Sequence, residues 1–256
     1  ELHRLLLERQ IPHEWEVRSG GHDFTCWNTA LPKAFRFINE YFNGKRSGNS
    51  ESSLPNETPF IQTANATVYY PEQAQGSTRK YPIIYVQGEI NEQQQKVLVS
   101  QFHQMVDENK TWPAVLSFVK ANTDLSETIS DIEKQLSGIR GSQRMRALIT
   151  LGDNIKEGIE AIQRENLFTG IVCVNAIGNE NDAQNLIKAV NSHKRYPRCW
   201  IEILPESKEY GFSSNIHILL KESDLEHEFR SRKCKEANVF TYWEDWILYL
   251  NNRIHV

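Results

Sequence analysis

The sequence predicts a doubly wound α/β fold: a mostly parallel sheet with helices on both faces. Two observations predict it. From Ala66 onward, short β-branched and aromatic runs alternate with amphipathic runs at helical spacing. Parallel sheets need that alternation, because each crossover carries a helix that covers a face. The second observation is a strand–loop–helix unit that occurs twice, about one domain apart.

Leu2, Leu5 and Leu6 share one face of a helix expected over residues 1–10, which Ile11-Pro12 ends. Alternation from His13 to Arg18, with Trp15 and Val17 on one side, reads as a strand. Gly20-Gly21 makes a turn, and Leu31, Ala34, Phe35 and Ile38 mark a helix from Asn28 to Tyr41. Residues 44–56 are almost free of apolar side chains and read as a linker. A strand is expected over 66–70 and a polar turn over 73–80, followed by strands over 83–86, 114–119, 147–151, 170–175, 199–204 and 228–232. Helices are expected over 91–108, 125–136, 155–163, 182–192, 213–221 and 242–251.

The repeat is explicit. His13-Glu14-Trp15 is followed by Phe24-Thr25-Cys26-Trp27, and His227-Glu228-Phe229 by Phe240-Thr241-Tyr242-Trp243. Arg18 matches Arg232, and an amphipathic helix follows each tryptophan. The copies stand 214 residues apart at the histidine (13 to 227) and 216 at the tryptophan (27 to 243), so the second loop is longer by two. Two tandem domains follow as the expectation. Residues 1–43 would end the first, 44–56 would link, and 57–256 would form the second.

Composition narrows the function classes. Hydrophobic residues are 39% and charged residues 24% of the 256, an ordinary globular balance. A net charge of −4 and a pI near 6.1 give no pull toward nucleic acid or an anionic membrane. No apolar run approaches the roughly 20 residues a membrane span needs. Cys26, Cys173, Cys199 and Cys234 have neither C-x-x-C spacing nor a paired-histidine pattern, so neither zinc nor a disulfide scaffold is expected. Nucleotide, phosphate-loop and calcium-loop motifs do not occur, and no cofactor is expected. Asn56-Glu57-Thr58, Asn65-Ala66-Thr67 and Asn109-Lys110-Thr111 fit the glycosylation triplet, a pattern common by chance. Glu1-Leu2-His3-Arg4 is neither an initiator methionine nor a leader, so the chain reads as beginning inside a longer polypeptide.

Ile11-Pro12-His13-Glu14-Trp15, Gly20-Gly21-His22-Asp23-Phe24, Trp27 and Leu31 together resemble the C-terminal end of the esterase D-like α/β-hydrolases, the family of feruloyl and acetyl-xylan esterases. The resemblance implies that His22 is a triad base. Val68-Tyr69-Tyr70-Pro71 and Tyr81-Pro82-Ile83-Ile84-Tyr85-Val86-Gln87-Gly88 resemble the family's opening hairpin and the strand before its His-Gly oxyanion loop. Gln87 stands where histidine is usual, and Gln87-Gly88 would be the oxyanion-loop equivalent. A secreted or periplasmic setting is the family's implication, and the residues themselves leave the compartment open.

An acyl-transfer serine needs the strained G-x-S-x-G elbow, which exposes the hydroxyl and aims backbone N–H groups at the oxyanion. The chain contains no such motif. Lined up on Arg146 and its strand, the serine position falls on Gly152, and Ile155 replaces a glycine of the elbow. Asp153 offers a carboxylate one position along. Glu206 is the nearest carboxylate after the strand at 199–204 and takes the acid position, or is a plain loop glutamate. Between Arg232 and Phe240 there is neither histidine nor glycine, and the base position falls on Glu236. Without a base a serine hydroxyl stays protonated and weak.

The leading expectation is therefore a catalytically silent esterase-like domain that supports a neighbour or holds an ester or carbohydrate ligand. The alternative is part of an active carboxylic-ester hydrolase acting on acylated sugars, with His22 as base. Its serine and acid would come from a preceding esterase domain, or a serine such as Ser142 or Ser207 would be borrowed. His13 and His227 are expected to be structural, and His103, His193 and His217 to be exposed. Trp112, Trp200 and Trp243 would line a binding cleft or sit in the core. An apolar helix face in residues 1–43 makes docking or homodimerisation an open expectation.

Overall fold

A computed structural model describes residues 9, 14–18, 31, 34, 58–74, 80–136, 141–165, 168–192, 197–203, 210–232 and 239–251. The helix expected over 1–10 apart from residue 9, the linker over 44–56, and Asn56 and Glu57 of the first glycosylation triplet lie outside the described residues.

Among the described residues nine strands form one sheet: β1 (Glu14–Arg18), β2 (Phe60–Gln62), β3 (Ala66–Tyr69), β4 (Tyr81–Gln87), β5 (Val115–Val119), β6 (Gly141–Leu151), β7 (Phe168–Val174), β8 (Arg198–Ile203) and β9 (His227–Arg232). Their order is β1-β9-β8-β7-β6-β4-β5-β3-β2. The six strands from β5 to β9 run parallel. β3, β2 and β1 pair antiparallel at the two edges. The sequence expectation missed β2, which is three residues long and largely exposed. It also missed the first half of β6, whose Gly-Ser-Gln-Arg-Met-Arg lacks an apolar alternation.

Among the described residues six helices cover the sheet: α1 (Glu92–Asp107), α2 (Leu125–Gln135), α3 (Ile155–Glu165), α4 (Glu180–Asn191), α5 (Tyr210–Glu222) and α6 (Trp243–Asn251). One face carries α2 to α5 through Ile129, Ile132, Ile159, Ile162, Leu186 and Ile216. The other carries α1 and α6 through Leu98, Phe102, Met105, Trp243, Trp246 and Ile247. Successive strand residues serve opposite faces, as a pleat requires: Leu148 packs on the first and Ile149 on the second. Side-chain caps fix where helices begin. Asn91 accepts from the Gln94 amide while the Gln94 side chain accepts from the Asn91 amide, both at 2.9 Å, a reciprocal capping box. No helix among the described residues is long and apolar enough to cross a membrane.

Two buried ionic groups pin the layers. Under α2, Arg146 donates to both oxygens of Glu133 at 2.7 and 2.6 Å, and the Tyr85 hydroxyl donates to the same carboxylate. Under α6, the Glu202 carboxylate accepts from the indoles of Trp200 and Trp246. Beside it Arg230 stacks 3.8 Å over Trp200 and pairs with Glu228 and Asp245. Removing one partner of such a pair strands the other charge in an apolar interior. Glu133→Ala should therefore cost about 3–5 kcal/mol in urea unfolding. A cost below about 1 kcal/mol, the size of a surface pair, would show that Arg146 regains water.

Candidate functional site

In open parallel sheets the ligand crevice lies at the carboxyl ends of the strands. Here β4, β6, β7 and β8 end together, and the turn from β6 into α3 is the sharpest feature. Leu151 is extended, Gly152 takes φ +64°, a single 3-10 turn spans Gly152–Asn154, and α3 starts at Ile155. A left-handed φ favours glycine. A Cβ built on Gly152 would meet nothing within 4 Å, so the space above this turn is open.

The rest of the turn is filled by packing and hydrogen bonds. With the elbow spacing centred on residue 152, its two glycines fall on Thr150 and Asn154, which corrects the assignment of one of them to Ile155. Thr150 is buried, and a glycine in the facing helix makes room for it: a Cβ on Gly158 would come within 2.7 Å of the threonine methyl. Buried Asn154 donates to the Leu151 carbonyl at 2.8 Å and accepts from the Asn122 amide at 3.0 Å. Ile155 is wholly buried in the core. Asp153 is exposed and receives only a 3.3 Å bond from Asn154.

Gln87 and Gly88 end β4 beside this turn. The Gln87 amide is buried, and its Nε2 donates to the Thr123 carbonyl at 3.0 Å, fastening the β5–α2 loop. Its Oε1 has no hydrogen-bond partner among the described residues. The Gly88 N–H donates to the Val119 carbonyl at 3.3 Å. A Cβ on Gly88 would sit 2.8 Å from Leu151, so glycine lets the two strand ends touch. Leu151 thus fills the ground between Gly88 and Gly152.

His22, Glu206, Ser207 and Glu236 lie outside the described residues. The described chain nearest His22 is β1, which is antiparallel to β9 and ends with Arg18 opposite Glu228. That is the amino-terminal end of β9, the far end of the sheet from Gly152. Ser142 is near the amino-terminal end of β6.

Among the described residues the histidines are His103, His217 and His227, and none is at the Gly152 end. His227 opens β9, and its Nδ1 bonds the Leu225 carbonyl at 2.7 Å. Its Nε2 is 2.8 Å from Nδ1 of His217 on α5. Since a carbonyl only accepts, His227 carries its proton on Nδ1 and accepts from His217 at Nε2. His217 also stacks on Phe229. The expectation of exposure is corrected for His217 and His103, which are both half-buried. His227 is structural, as expected.

Burial and the neighbouring His227 push the His217 imidazole down to about 4, and burial lowers His227 as well. The unfolded chain takes up protons near pH 6.5, while the folded pair does not. The stability owed to neutral His217 is thus full above about pH 6.5 and lost between there and about 4. The unfolding temperature should fall between pH 7 and pH 4.5, and fall less in His217→Phe, which keeps a ring against Phe229. An equal fall in the variant would remove the pair from the account.

Other candidates are ruled by burial. Burial pushes the Cys173 thiol up to about 12 and raises Cys199 as well, so neither supplies a thiolate near neutrality. Trp200 and Trp243 are 1% exposed and belong to the core, and Trp112 lies just ahead of β5, at its amino-terminal end. A cleft of about 510 Å³ lies at the ends of β4 and β5, bounded by Gly88, Asn91, Gln95, Phe118 and Lys120, with no tryptophan in its wall. No cluster of three metal-ligating side chains occurs among the described residues.

No protein-family model and no curated protein matches the sequence. Solved structures do match. A ferulic acid esterase is similar with a TM-score of 0.56 at 13% identity, over 72% of this chain and 90% of that one. The BES protein from Bacillus cereus is similar with a TM-score of 0.60 at 11% identity, over 80% and 98%. The S-formylglutathione hydrolase FrmB from Staphylococcus aureus is similar with a TM-score of 0.51 at 14% identity, over 71% and 89%. At such identities the likeness is one of fold, and the chain has the esterase-like α/β-hydrolase fold.

Proposed function

We propose that residues 58–251 form a catalytically silent lobe on the esterase-like scaffold, which supports a neighbouring domain or holds an ester or carbohydrate ligand. One observation carries the reading. Gly152 occupies the strand-to-helix turn where the fold presents its nucleophile, and glycine has no side chain to attack with. Three others support it. No histidine occurs between Arg232 and Phe240, the stretch that would supply a base. The Gly88 N–H, at the place of an oxyanion donor, is engaged by Val119. The cleft beside it has polar groups to hold a ligand, Asn91, Gln95 and Lys120, and neither serine nor cysteine lines it.

Turnover of p-nitrophenyl acetate and of a feruloyl ester should match the rate in buffer. Gly152→Ser should still fold, because the space above the turn is open. Its left-handed φ should cost about 1 kcal/mol. The variant should also remain inactive, since no base would deprotonate the hydroxyl. Turnover by the unaltered chain that disappears in His22→Ala would overturn the proposal and make His22 the base of an active esterase.

A further inference from the structure

The β1–β9 pairing joins the two copies of the repeat to each other. Glu14 and Glu228 are the same position of the repeat, as are Arg18 and Arg232. In the ladder Glu14 faces Arg232, and Arg18 faces Glu228. Trp15 faces Ser231 while Val17 faces Phe229, again the same two repeat positions exchanged. Glu16 faces Arg230, its own counterpart, at the centre. A contact in which position i meets j and j meets i has the form of a two-fold interface. Three of the five register positions place an acidic residue opposite a basic one.

The two copies differ in what covers them. Beyond β9 lies β8, parallel to it, and α6 rests on that part of the sheet. Ile247 is 0% exposed there and Leu250 is buried. Their counterparts after β1, at the tryptophan offset, are Leu31 and Ala34, both helical. Leu31 is 40% exposed and Ala34 is exposed as well. The outer edge of β1 has no strand partner among the described residues. Among the described residues, one copy of the unit therefore has a sheet beneath its helix and the other does not.

We infer that β1 is the last strand of a first hydrolase-fold lobe in the same polypeptide, joined edge to edge with this one about a local two-fold axis at Glu16 and Arg230. The partner is specified by the symmetry: a strand equivalent to β8 lies parallel on the outer edge of β1, and its sheet covers Leu31 as Trp200 and its neighbours cover Ile247. The sheet then runs unbroken through both lobes, which removes the open edge that would otherwise template aggregation. Antiparallel pairing turns the carboxyl ends of the two lobes' strands to opposite sides. Each lobe must then work with its own residues, and the first lobe's site cannot be completed by the Gly152 turn. The inference gives the supporting role proposed above a geometry, and its test does not depend on activity.

The test compares the intact encoded polypeptide with the 1–256 chain by amide hydrogen exchange at residues 14–18. All five amides should be protected in the intact polypeptide, and only those facing β9 in the shorter chain. Leu31→Lys should leave the unfolding temperature of the 1–256 chain unchanged and lower that of the intact polypeptide. The inference is overturned by an intact polypeptide with no second lobe, by alternate protection in both forms, or by a Leu31→Lys effect absent from both. Full protection in a sedimenting dimer of the 1–256 chain would also overturn it and give the edge to a second copy.

Discussion

The central strands β4, β6, β7 and β8 have no face that tolerates water. Ile83, Tyr85, Leu148, Ile171, Cys173 and Ile201 point to one layer, and Ile84, Val86, Ile149, Val172 and Trp200 to the other, all within 1% of full burial. Each large apolar side chain so buried contributes about 1.5–3 kcal/mol. Both layers must therefore be covered by helices, and that requirement sets the connectivity. Each of the five parallel crossovers carries one helix, four on one face and α1 on the other, where the terminal α6 joins it, and the carboxyl ends of the strands collect in one crevice. The buried polar groups obey the same constraint. Arg146 and Arg230 survive inside because Glu133, Glu228 and Asp245 neutralise them.

At that crevice packing and backbone hydrogen bonds set the shape of the turn. The turn after β6 keeps its left-handed residue, and the close approach of β4 to β6 is kept by Gly88. What occupies the turn is packing: Leu151 against Gly88, Thr150 against Gly158, and Asn154 bonded to Leu151 and Asn122. These contacts stabilise the strand ends. A fold can keep its shape through such substitutions because shape depends on volume and backbone bonding, whereas catalysis depends on particular atoms.

The strands and helices from Ala66 onward were legible in the sequence because both signals that reveal them are local. Apolar runs such as Ile171-Val172-Cys173-Val174 mark buried strands, and Leu98, Phe102 and Met105 recur at helical spacing. The first half of β6 was not legible, since a buried Arg146 looks polar until Glu133 is seen beneath it. Trp200 and Trp243 could not be assigned from composition, because an aromatic in a wall and one in a core have the same letter. His217 read as exposed because its partner His227 lies across an element boundary. The position of Gly152 was legible from Arg146 and the strand alone. Its φ, and the crowding of Leu151 against Gly88, belong to the fold. The repeat was visible as a match of letters, and only the β1–β9 register shows that its copies face one another.

The most direct test of a silent lobe is covalent labelling of the folded chain with a fluorophosphonate serine probe, followed by peptide mapping. The account predicts that no serine is labelled under conditions that label an active esterase. A stoichiometrically labelled serine in this chain would contradict it, and the labelled position would identify the nucleophile directly.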